Sequence, residues 1–164
     1  MRHIISVTLQ NEAGALARVA NLVSSRGYNI ESLNVAPTDN ESVSRVTLVT
    51  LGSDKVIEQI AKQLGKLVDV VTIVDMTGTD HIERELALLK LDVSSGRGPV
   101  QKRLDDFGAR VLDNDGRYLT LELVGVGQEI DRLLEDLERL VPIESFVRTG
   151  PLAMARGASL LARR

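Results

Sequence analysis

The sequence contains no cysteine, which excludes disulfides, thiolate zinc sites, iron–sulfur clusters and a cysteine nucleophile. Aromatic residues are only 2% of its 164 residues, too few to supply rings for base stacking or sugar platforms. The two histidines, His3 and His81, are far apart and belong to no metal-ligand spacing, so no metal is expected. No apolar run approaches the roughly 20 residues of a membrane-spanning helix. The opening Met-Arg-His-Ile-Ile-Ser-Val-Thr alternates into a strand instead of forming a signal segment. An excess of basic charge is also missing: the formal net charge is −3, which gives no footprint for phosphate backbones or anionic membranes. The expectation is a cytoplasmic chain whose partners are small molecules or proteins, with no nucleic acid and no membrane. What is abundant is aliphatic: 43% hydrophobic residues, almost all Leu, Val, Ile and Ala, against 26% charged, the balance of a globular protein with a packed core.

The hydrophobic rhythm reads twice as strand, helix, strand, strand, helix, strand. Residues 2–10 alternate Ile5, Val7 and Leu9 against Ser6 and Thr8, the pattern of a half-buried strand. From Gly14 to Arg26, Leu16, Val19, Ala20 and Val23 recur at helical spacing, and Gly27 is placed to stop that helix. Residues 28–37 and 43–51 form a hairpin around the polar turn Thr38 to Ser42. A helix over 53–66 opens at Ser53 and carries Val56, Ile57, Ile60 and Leu64, and a strand follows near 67–76. The second round is a strand at 84–93, a helix opened by Gly98-Pro99 and stopped by Gly108, and a hairpin across Asn114-Asp115-Gly116. Its last elements are a helix over 128–140 and a strand to about Arg148. The fold class is therefore α+β, two tandem ferredoxin-like βαββαβ domains. Their expected extents are 1–77 and 84–150, with a turn-rich linker at 78–83 and a basic tail at 151–164. Domains this small bury only about 60% of their unfolded surface, so extra burial through sheet pairing or dimerisation is expected.

The chemistry concentrates in Gln10-Asn11-Glu12-Ala13-Gly14-Ala15-Leu16, between the first strand and first helix. The first amides of a helix lack internal partners and carry the positive end of its dipole, a ready site for a carboxylate. Gly14 permits close approach, and Asn11 offers both donor and acceptor to a zwitterion. The same residues also suit an ordinary turn. Asn29 and Ile30 begin the next strand, which this topology places at a sheet edge where a second copy can pair. Gly96-Arg97-Gly98-Pro99, before a helix in the second half, is a weaker anion-site candidate beside its reading as a plain turn.

At these residues the chain resembles the small subunits of acetolactate (acetohydroxyacid) synthase, whose N-terminal half is an ACT domain. The matching words are Asn11 to Val19, Arg26 to Leu33, Val35 to Thr38, Gln59 to Val70 and Glu83 to Lys90. The resemblance is close over about the first 90 residues and is carried beyond them mainly by length and element order; Met154 to Ser159 match loosely. It implies that Asn11, Gly14, Ala15 and Leu16 of one protomer, with Asn29 and Ile30 of its neighbour, enclose valine at a homodimer interface of the N-terminal domain. Ala36 would limit the pocket's volume. Asn34 stands where such proteins usually carry a small hydroxyl residue. The resemblance further implies a non-catalytic regulatory subunit that activates a large catalytic subunit and confers feedback inhibition in branched-chain amino acid biosynthesis. Thiamine diphosphate, magnesium and, where one is used, FAD would belong to the large subunit, with no cofactor on this chain. Rival readings are a free-standing amino-acid-binding regulator of another partner and, from element order alone, an RRM-type RNA binder lacking its stacking aromatics.

Overall fold

The structure, a computed structural model, describes residues 1–158; Arg163 and Arg164 of the expected basic tail lie outside the described residues. The chain divides into two compact units. One is Met1–Ile82 with the described chain from Leu152 onward, the other Glu83–Pro151.

In the first unit, β1 (Arg2–Gln10) leads into α1 (Ala15–Ser25), β2 (Ile30–Pro37), β3 (Val43–Leu51), α2 (Asp54–Leu64) and β4 (Val70–Asp75). The sheet order is β2-β3-β1-β4, antiparallel throughout, so β2 and β4 are its edges. The two periodicities meet in one core. Ile5, Val7 and Leu9 of β1 and Val46 and Leu48 of β3 pack on Ala15, Val19 and Val23 of α1 and on Ile57, Ile60 and Leu64 of α2. The alternation in β1 predicts burial of one face only. Both are buried, because Ile4 is 2% exposed and Ser6 0%.

The second unit repeats the plan with β5 (His81–Asp92), α3 (Gly98–Phe107), β6 (Arg110–Asn114), β7 (Tyr118–Gly125), α4 (Gly127–Glu138) and β8 (Ile143–Arg148), in the order β6-β7-β5-β8. Leu119, Leu121 and Leu123, alternate residues of β7, are all buried against Val100 and Leu104 of α3 and Ile130, Leu133 and Leu137 of α4. Gly108 stops α3 at φ 78°, a left-handed conformation that returns its N–H and that of Ala109 to the Leu104 carbonyl.

Two boundaries differ from the sequence reading. The linker expected at 78–83 is shorter, because β5 already begins at His81. The tail expected from 151 contains a strand, β9 (Leu152–Ala155), in which Ala153 and Ala155 pack on Ile4, Val49, Val74 and Met76. This cluster covers Ile4 on the second face of β1. Beyond it the Arg156 N–H donates to the Asp80 carbonyl and its guanidinium pairs with the Asp80 carboxylate at 3.3 Å. A four-residue strand built on two alanines carries too little periodicity to be read as one.

An acid occupies an inward position of the second unit. The Glu85 side chain is 3% exposed and takes the Arg148 guanidinium through Nε at 2.9 Å and through Nη2, while Nη1 reaches Asp131 at 2.8 Å. Removing one partner of such a pair strands a buried charge. Arg148→Ala, which leaves the buried Glu85 carboxylate without its guanidinium, is therefore expected to destabilise the second unit by about 3 kcal/mol, read as a lowered denaturant midpoint. An unchanged midpoint would mean that Glu85 finds equivalent solvation without it.

No helix among the described residues is long and apolar enough to cross a membrane.

Candidate functional site

The loop between β1 and α1 is fixed by backbone bonds to two other segments. Gln10 N–H donates to the Asp69 carbonyl at 2.7 Å and Asn11 N–H to the Ser42 carbonyl at 2.8 Å. The Asn11 side-chain amide donates to the Glu41 carbonyl, also at 2.8 Å. Asn11 thus clamps the loop to the β2–β3 turn. Ala15 N–H closes a turn onto the Glu12 carbonyl, and Arg18 N–H makes the first helical bond to the Gly14 carbonyl. Gly14 caps the helix at φ 84°, and no side chain caps it. By helix geometry the amides of Leu16 and Ala17 have no helical carbonyl one turn back, and both residues are exposed. Ala15 is buried at 1% exposure and Leu16 is 36% exposed, so this end presents amides beside an aliphatic side chain. That combination suits a small amphiphile with a carboxylate and an apolar body.

Behind the loop lies an ion pair. Arg18 donates Nε to Asp69 Oδ2 at 2.6 Å and Nη2 to Asp69 Oδ1 at 2.8 Å. Asp69 is 6% exposed and Arg18 47%. The hydrogen bonds from Arg18 hold the Asp69 carboxyl below the usual carboxylate range, and those to Asp69 raise Arg18 above its ordinary value. Sequence reasoning gave neither residue a role. The available signal was spacing: Arg18 stands one helical turn after Gly14, where its side chain folds back over the helix start.

The other expected residues fall into two groups. Ala36 lies near the end of β2 and is opposite Arg45, one step from Pro37 opposite Ser44, so it shares the end of the sheet where Gln10 faces Val43. Asn29 and Ile30 lie at the opposite end. Ile30 is paired with Thr50, whose neighbour across β1 is His3. The Asn29 carbonyl accepts from the Thr50 hydroxyl at 2.7 Å, and its amide donates to Glu31 at 2.8 Å. A strand of eight residues is about 25 Å long. Within one chain, Asn11, Gly14, Ala15, Leu16 and Ala36 are therefore gathered at one end, and Asn29 and Ile30 are held apart from them.

Other polar clusters offer less. A shallow groove of ≈ 370 Å³ runs between α2 and the β4 edge, lined by Glu58, Lys62, Gly65, Val71, Thr72 and Ile73 among others, and contains none of the loop residues. Its Lys62 and Glu58 neutralise one another at 2.6 Å. His3, 2% exposed, lies 3.5 Å from Asp54 and 3.7 Å from Asp75. No group of three or more such side chains among the described residues is arranged to hold a metal. At Gly96 to Pro99, Gly96 has φ 109°, and the nearby Asp92 carboxylate is already engaged by the Ser94 N–H and by Arg117.

Residues 5–72 match the family described as AHAS small subunit-like ACT domain, and residues 84–157 match the small subunit of acetolactate synthase. Over 162 residues the chain is 43% identical to the acetolactate synthase isozyme 3 small subunit of Salmonella typhimurium, covering 98% of this chain and 99% of that one. This chain belongs to the acetolactate synthase small-subunit family. The Escherichia coli isozyme 3 small subunit is 42% identical with the same coverage. The crystal structure of the acetolactate synthase small subunit from Thermotoga maritima superposes with a TM-score of 0.87 at 30% identity, covering 96% of this chain and 99% of that one. The fold expected from the sequence, two tandem βαββαβ units with an ACT domain first, is thereby shared with a solved member. As a small subunit with an ACT domain, the chain is regulatory.

Proposed function

We propose that this small subunit senses valine in a pocket shared by two copies, activates a separate catalytic large subunit and imposes feedback inhibition on it. The observation that carries the reading is the separation of the two residue groups along β2. Asn29 and Ile30 cannot reach Gly14 within one chain. A second copy paired antiparallel along the β2 edge brings its own Asn29 and Ile30 to the end where Asn11, Gly14, Leu16 and Ala36 already lie. One zwitterion then has its carboxylate at the amides of α1, its ammonium near the Asn11 and Asn29 side chains, and its aliphatic body against Leu16, Ile30 and Ala36. Thiamine diphosphate, magnesium and any FAD stay with the large subunit, and no bond is made or broken on this chain.

A shared pocket couples binding to conformation because it is complete only in some arrangements of the pair. Valine stabilises those arrangements by its differential affinity, and couplings of this kind are about 1–3 kcal/mol, roughly 5- to 150-fold in an equilibrium. The test is reconstitution. The acetolactate-forming rate of the large subunit is measured alone, with this chain, and with this chain across a valine series. The expected result is a rise on adding the chain and a fall on adding valine. A rate indifferent to both would sink the proposal.

A further inference from the structure

The Arg18 guanidinium is fixed in place before any ligand arrives. Two of its three nitrogens, Nε and Nη2, are taken by the two oxygens of Asp69, whose carboxylate is nearly closed off from solvent. The third, Nη1, points the other way. A Cβ built on Gly14 would stand 3.0 Å from Nη1 and 3.8 Å from Cζ, so the free corner of the fork lies over the residue that caps α1. The φ of 84° favours glycine at position 14, and a Cβ there would also press on the end of the Arg18 side chain.

We propose that Arg18 is a direct ligand of the effector, its Nη1 donating to the same carboxylate that the first amides of α1 hold. The inference rests on the effector reading given above and adds to it the group that recognises charge. Amides at a helix start offer partial charge, whereas a guanidinium donor makes a charge-assisted bond about twice as strong as a neutral one. Asp69 makes that donor inexpensive to use. A long side chain normally loses rotamer freedom on binding, and the bidentate anchor has already removed that freedom. Glu12, in the same loop, also acts on Arg18 through space and is the acid an incoming carboxylate must compete with.

The experiment is calorimetric titration of the full-length chain with valine and with valinamide, which keeps the ammonium and isopropyl groups and lacks the carboxylate. Arg18→Met is expected to weaken valine at least about tenfold while changing valinamide little, so that the wild-type preference for the acid collapses. Arg18→Lys, which keeps the charge without the fork, should recover part of it, and it carries the test if the methionine variant fails to fold. Glu12→Gln should tighten valine. Unchanged valine affinity in both Arg18 variants, or equal losses for valine and valinamide, would reduce Arg18 to a structural strut and overturn the inference while leaving the effector pocket standing. A wild-type chain that binds neither valine, leucine nor isoleucine would bring down the effector reading itself, and this inference with it.

Discussion

Gly14→Asp is expected to leave the large subunit insensitive to valine, with the half-inhibiting concentration displaced upward by about a hundredfold or more. Three effects act in the same direction. The residue sits at φ 84°, which costs a residue with a side chain about 1–2 kcal/mol. Its Cβ would press on Arg18 Nη1, and the new carboxylate would lie within reach of that guanidinium and of the α1 amides, occupying the place proposed for the ligand. A valine carboxylate approaching the same point then meets like charge, which costs several kcal/mol, and about 2.7 kcal/mol is already a hundredfold. Gly14→Ala separates the contributions, since it brings the strain and the Cβ without the charge and should give a smaller displacement. Inhibition curves for the two variants, with far-UV circular dichroism to establish folding, make the comparison. A wild-type midpoint for the aspartate variant would remove the loop from the effector site altogether.

The site could be read from sequence only as far as its local half. Asn11, Gly14 and Leu16 are neighbours in the chain, and the strand–turn–glycine–helix pattern that exposes their amides is a short-range property. The Arg18–Asp69 pair joins residues 51 apart in sequence, and no periodicity connects an acid at the foot of one strand with a base on the first helix. The fold divides in the same way. Leu119, Leu121 and Leu123 alternate with polar residues and are buried on one face, so β7 was legible from its own pattern. Ser6 in β1, a central strand, shows the same polar alternation and yet is fully buried, and its neighbour but one Ile4 is covered by β9. Glu85 was illegible for the converse reason. Its inward position becomes tolerable only through Arg148, 63 residues away, and a strand pattern counts an acid as outward. What the sequence encodes locally is which face of an element is apolar; what lies on the other face depends on segments that the topology brings up later.

The β2 edge should be as sensitive as the loop. Val35 is 40% exposed on this edge strand, and a two-fold axis through paired β2 strands would bring both copies of any substituted residue into one interface. Val35→Lys places two like charges there, and lysine on an edge is the device by which natural sheets resist pairing. With like-charge contacts costing several kcal/mol, self-association should weaken about a hundredfold, while each chain keeps its fold, since Val35 is outside the buried core that joins β2 to the helices. If the proposed pairing holds, the variant should therefore sediment as a monomer at concentrations where the wild type self-associates, and its valine response should vanish although the loop residues Asn11 to Leu16 are intact. That joint loss separates a shared pocket from a self-contained one: a monomeric variant that still binds valine with wild-type affinity would mean that one chain holds the effector alone, and Asn29 and Ile30 would then have no part in the site.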